Sequence, residues 1–115
     1  FITGTGTGIG KTLFSTLWMA KYAVSKNIQY WKPVETGSIE ESDFYSVKSN
    51  LGFDNKYFID PVSRFSFPAS PHYSAQLEGK VLSLDKLRDM FILQKDSKTL
   101  IEGAGGLMVP LTNEK

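Results

Sequence analysis

A chain of 115 residues suits one modest domain, large enough to bury a core. Its 41% hydrophobic and 22% charged content is that of an ordinary globular protein, and a net charge of +1 from scattered basic residues excludes a nucleic-acid or anionic-membrane footprint. The absence of cysteine excludes disulfides, thiolate metal sites and cysteine nucleophiles within these residues, and no apolar run approaches the roughly 18 residues that span a bilayer.

Phe1-Ile2-Thr3 reads as the tail of a strand that runs straight into the glycine-rich stretch "GTGTGIGKT", Gly4 to Thr12. With no initiator Met before it, the chain is expected to be a fragment missing residues at its start. From Lys11 the apolar residues Leu13, Phe14, Leu17, Trp18 and Val24 fall at helical spacing, and Lys26-Asn27 supplies a stop, since Asn tolerates the left-handed cap. Ile28 to Trp31 predicts a strand closed by Lys32-Pro33. Residues 40 to 50 predict a helix, whereas Tyr57 to His72, with three prolines, reads as a long loop with a short strand at most. Ser83 caps a predicted helix with Leu84, Leu87 and Phe91 on one face. Thr99-Leu100-Ile101 is a further short strand, followed by Glu102-Gly103-Ala104-Gly105-Gly106.

Strand, crossover helix and strand again implies an α/β fold: an open parallel sheet with flanking helices. Such sheets bind ligands beyond the carboxyl ends of their strands. Three chemical candidates fall at that edge: the glycine loop, Lys32 and Glu102.

The loop misses the standard phosphate-binding spacing, because Gly4 stands one residue too early, but it keeps the functional end Gly10-Lys11-Thr12. A strand-to-helix junction there offers free backbone N–H groups and the positive end of a helix dipole to phosphate oxygens. Lys11 can reach the β- and γ-phosphates, and the Thr12 hydroxyl can ligate Mg²⁺. Magnesium also draws on one or two carboxylates, and Glu102, ending a buried strand between "TLI" and "GAGG", is placed to give one. Asp43 in "EESDFY" reads from pattern alone either as a ligand or as part of an acidic helix start. Lys32 reads either as a solvated strand-end lysine or as a cation beside the phosphate loop.

The stretches "GTGTGIGKT", "WKPVETG", Ser42-Asp43, "SPH" at Ser70 to His72 and "IEGAGGLMVPL" resemble, in order, the dethiobiotin synthetase family, P-loop enzymes of biotin biosynthesis. The resemblance spans almost the whole chain, about half of a full family member. It implies the N-terminal half of a P-loop NTPase-like fold and an ATP-dependent ligase forming C–N bonds. In that reaction 7,8-diaminononanoate takes up CO₂ (from bicarbonate) as a carbamate, ATP converts this to a carbamic–phosphoric anhydride, and the second amine closes the ureido ring. It further implies Mg²⁺ as cofactor, ATP as co-substrate, a homodimer and a cytoplasmic location, with no nucleic-acid or membrane partner.

Carried over residue by residue, the family's catalytic lysines fall on Lys11 and Lys32, its substrate-binding hydroxyl on Thr36, and its metal-binding groups on Thr12, Asp43 and Glu102. Its nucleotide contacts fall on Gly8, Ile9, Gly10, Lys11, Thr12, Leu13, Asp43, Glu102, Gly103, Ala104 and Gly105. The chain departs at Gly6, where members often carry Asp or Asn, and at Gly8, where an acidic residue is frequent, so those side-chain contacts are absent here. His72, the single histidine, is expected to be packed or in a loop rather than catalytic. Two other readings are a partitioning-type ATPase switch, which usually carries a second lysine inside the loop, and a cobyrinate-type amide ligase, which needs a separate glutaminase domain. Neither feature is present in these residues.

Overall fold

The computed structural model describes residues 1–112. Helix α1 (Lys11–Lys26) starts at Gly10, whose φ of 95° lies in the left-handed region that favours glycine. It ends at Asn27, also left-handed at φ 52°, with the Asn27 N–H returned to the Ala23 carbonyl, the stop that Lys26-Asn27 predicted. Then follow β1 (Gln29–Trp31), β2 (Val34–Thr36), α2 (Asp43–Leu51), a 3₁₀ turn (Asn55–Tyr57), β3 (Phe58–Ile59), β4 (Ser63–Phe65), α3 (Pro71–Leu77), α4 (Leu84–Leu93) and β5 (Thr99–Ile101).

β3, β1 and β5 form one sheet in that order, parallel throughout, with Tyr30 between Phe58 and Leu100. The chain start joins at the β5 edge: Ile2 bridges Glu102 in parallel and gives its N–H to the Ile101 carbonyl at 2.7 Å. The expected open parallel sheet with flanking helices is thus in place. Because every strand points the same way, the glycine loop, Lys32 and Glu102 leave the sheet along one edge.

Two differences from the sequence reading have physical causes. The segment Tyr57 to His72 is not a long loop: it holds β3, β4 and the start of α3, and β4 pairs in parallel with β2, a strand the sequence reading missed. Its prolines stand outside the strands or at the first position of a helix, where no N–H is required; Pro61 precedes β4, Pro71 opens α3, and the Pro33 carbonyl ahead of β2 accepts from Val62 N–H at 2.8 Å. The apolar stripe of α1 also faces outward. Leu13 is 65% exposed and Leu17 62%, while the buried line is Lys11, Ser15, Met19 and Ala23, one residue per turn. All four are short or unbranched, which lets the helix approach the sheet closely.

The core has two parts. Met19, Ala23, Tyr30, Phe44, Val47, Tyr57 and Phe58 pack α1 and α2 on the sheet. Val34, Phe65, Ala75, Leu82 and Leu87 pack α3 and α4 on the β2–β4 pair. The Ser83 cap accepts from Lys86 N–H at 3.2 Å, as expected, and Phe91 of α4 sets its ring edge-on to Trp31 of β1 at 4.9 Å.

Candidate active site

The glycine loop leaves the first extended segment and turns into α1. Lys11 is buried and its Nζ donates to the Gly6 carbonyl at 2.6 Å, so the ammonium is held across its own loop. Gly8 has φ 74°, which explains a glycine where a side chain would be strained. A second loop, starting at Gly103, backs onto the first: Gly103 N–H donates to the Ile2 carbonyl at 2.9 Å and Leu107 N–H to the Gly4 carbonyl at 3.0 Å. The approach is close enough that a Cβ at Gly106 would stand 2.9 Å from the Thr5 carbonyl oxygen.

Thr12, on the first turn of α1, presents its hydroxyl to two carboxylates at once. Thr12 Oγ1 lies 2.6 Å from Asp43 Oδ1 and 3.1 Å from Glu102 Oε1. One hydroxyl proton cannot satisfy both, and the balance is met by Lys32, whose Nζ sits in contact with Asp43 Oδ2 and 3.1 Å from Glu102 Oε1. Four groups from four separate segments meet here: α1, the residue after β1, the first residue of α2 and the residue after β5.

Glu102 is fully buried, and its other oxygen is held as well. Tyr30 Oη donates to Glu102 Oε2 at 3.1 Å and Ser15 Oγ donates to the same oxygen. A buried carboxylate without such donors would be costly. Burial, then the charge of Glu102, pushes the Tyr30 hydroxyl far above its ordinary range, so it remains a donor at any working pH. Burial alone would lower the Lys32 ammonium, but the facing Glu102 and Asp43 carboxylates outweigh it and raise it above 10.5. Burial would likewise raise Asp43, yet Lys32 by charge and hydrogen bond, with Thr12, holds it below 3.8. The site is therefore a buried ammonium held against two carboxylates.

Among the described residues no group of three or more His, Asp or Glu side chains could hold a metal. The convergent set of one hydroxyl and two carboxylates is nevertheless the hard-oxygen chemistry that Mg²⁺ takes with phosphate and water completing its shell. The residues present fit that ion.

Of the residues the sequence singled out, the structure brings Thr12, Lys32, Asp43 and Glu102 into direct contact. Lys11, Gly8, Ile9, Gly10 and Leu13 lie along the adjoining loop and helix start, with Ile9 and Leu13 exposed; Gly103, Ala104 and Gly105 lie on the second loop. Thr36 ends β2, half-buried, outside the four-group cluster and ahead of the Gly37 turn. His72 belongs to α3, and its Nδ1 is buried without a hydrogen-bond partner among the described residues. Sequence reasoning missed Ser15, Tyr30 and Glu35. Ser15 alone carried a signal, as a polar residue one turn from Lys11 on the line that is buried.

A family model described as an AAA domain matches residues 1–115. The chain is 43% identical over 111 residues to a protein of Leptospira interrogans and 44% identical over 111 residues to one of Brucella anthropi, each match covering 96% of this chain and 49% of the relative. It is 41% identical over 112 residues to a protein of Agrobacterium fabrum, covering 97% of this chain and 50% of that one. All three carry the name ATP-dependent dethiobiotin synthetase BioD, which bears out the resemblance read from the motifs. The chain spans about half the length of these curated relatives.

Proposed function

The chain belongs to the AAA-domain family, and from that premise we propose that the protein of which it is part is an ATP-dependent cyclo-ligase that closes a ureido ring on 7,8-diaminononanoate to give dethiobiotin. The observation that carries this reading is the Lys32 ammonium set between Asp43 and Glu102 beside the Gly10-Lys11-Thr12 loop, in a chain whose relatives bear the synthetase name.

One nitrogen of the diamine attacks CO₂, loses a proton and becomes a carbamate. A carbamate oxygen then attacks the γ-phosphorus of ATP, the bond to the β-phosphate oxygen breaks, and ADP leaves. The second amine attacks the carbamoyl carbon, expels phosphate and loses its proton, which closes the cyclic urea. In each step the difficulty is bringing anions together, so positioning and charge dominate. Lys11 holds the triphosphate over the loop N–H groups, in the pocket formed by Gly8 to Leu13 and backed by Gly103, Ala104 and Gly105. Lys32 stands where carbamate and γ-phosphate approach and offsets their combined charge. Thr12, Asp43 and Glu102 would hold Mg²⁺, which when bound neutralises the β- and γ-phosphate oxygens. The Thr36 hydroxyl binds the diamine. Tyr30 and Ser15 keep the Glu102 carboxylate aimed.

Among the described residues no helix is long and apolar enough to cross a membrane. From the family resemblance we infer a cytoplasmic homodimer with substrate sites near the subunit boundary. The full-length protein should release phosphate from ATP only when both the diamine and bicarbonate are present, and without glutamine. Turnover that requires glutamine, or that ignores the diamine, overturns this reading.

A further inference from the structure

We propose that Glu35 is a positioning residue for Asp43, fixing the start of α2 so that the Asp43 carboxylate stays on Thr12 and Lys32. The inference rests on the reading of Asp43 given above and names what keeps that carboxylate in place.

Glu35, in the middle of β2, is only 4% exposed, and burying a carboxylate is unfavourable unless its oxygens are satisfied. Its partners are the two residues that flank Asp43. Ser42 Oγ–H donates to Glu35 Oε2 at 2.9 Å, and Phe44 N–H donates to Glu35 Oε1 at 2.9 Å. The Phe44 amide is one of the first-turn donors of α2 that no helical carbonyl can satisfy, so a carboxylate from another element caps the helix there, at the favourable end of its dipole. Ser42 in turn accepts Tyr45 N–H at 3.1 Å. The residues on both sides of Asp43 are thus tied to one side chain, while Asp43 itself turns the other way.

The β2–β4 pairing completes the grip. Its register sets Arg64 directly across from Glu35, with Arg64 Nε 3.7 Å from Glu35 Oε2. The guanidinium also lies over the Tyr45 ring at 4.4 Å and the Phe44 ring at 5.1 Å. An apolar side chain would fill the space under α2 as well. It would not choose the rotation of the helix that delivers Asp43.

The test uses the full-length protein with Glu35→Ala and Glu35→Gln, each made alone and together with Asp43→Asn. Glu35→Ala should lower kcat for diamine-dependent ATP turnover by about tenfold or more, the usual consequence of losing a group that orients a ligand. Glu35→Gln should recover most of that loss, because its amide oxygen still accepts Phe44 N–H and its NH₂ can donate to Ser42 Oγ. In the Asp43→Asn background Glu35→Ala should cost less than about twofold more, since the group it positions is already gone. The same fold loss in both backgrounds overturns the proposal, as does a Glu35→Gln variant no better than Glu35→Ala. Hydrogen exchange at the Phe44 amide gives a readout independent of turnover: Glu35→Ala should exchange it faster and Glu35→Gln should not. Unchanged protection in Glu35→Ala overturns the positioning whatever the wild type catalyses. A wild type silent toward the diamine, with Phe44 protection lost in Glu35→Ala, overturns only the proposed reaction.

Discussion

At the scale of the residue, Lys32 is the side chain whose environment departs furthest from what its sequence position suggests. A lysine between a strand and a proline reads as solvated, yet it is 3% exposed and faces two carboxylates. Burying a cation there only to hold two anions apart would bring little stability, since apolar packing can serve as well. In the reaction proposed above, the same charge would meet the carbamate and γ-phosphate mainly in the transition state. Lys32→Gln in the full-length enzyme should therefore lower kcat by roughly a hundredfold, about 2.7 kcal/mol, and leave ATP affinity close to normal. Steady-state kinetics with calorimetric ATP binding measures both. Lys11, proposed to grip the triphosphate in ground and transition states alike, should lose binding and turnover together when replaced.

At the scale of the element, α1 packs through a narrow line and not through its widest apolar stripe. Met19 is fully buried among Tyr30, Phe44 and Val47, whereas Leu17 is mostly exposed. On the 115-residue chain, Met19→Ala should cost about 2–5 kcal/mol in denaturant unfolding, while Leu17→Ala should stay within about 0.5 kcal/mol. Equal losses would place the helix the other way round. The same contrast shows what could be read from sequence. The existence of α1, its Asn27 stop, the Ser83 cap and the alignment of three strand ends were legible because each has a local cause. The inward face of α1 was not, since Ser15 is buried for the sake of Glu102 and hydropathy carries no record of that. β2 and β4 were illegible for another reason: three residues each leave no periodicity, and their flanking prolines resemble loop signals. Glu35 followed from neither, because its importance lies in Ser42 and Phe44, which reach it only once α2 is docked.

At the scale of the whole molecule, two cores meet at one functional edge. The three-stranded sheet with α1 and α2 carries the phosphate loop, Lys32, Asp43 and Glu102, and the β2–β4 pair with α3 and α4 braces them from beside. Since Glu35 and Arg64 of the smaller pair hold the start of α2, the second core is linked to the site by hydrogen bonds as well as by packing. Thr12, Asp43 and Glu102 are proposed to form one oxygen cluster that takes a magnesium ion with the nucleotide. Calorimetric titration of ATP into the full-length protein with and without Mg²⁺ tests this, for the wild type and for Asp43→Asn, whose partly exposed side chain makes it the mildest change in the cluster. The wild type should bind ATP at least about tenfold more tightly with Mg²⁺, and Asp43→Asn should lose most of that gain while binding metal-free ATP as before. An Asp43→Asn variant that keeps the full magnesium gain would contradict the account.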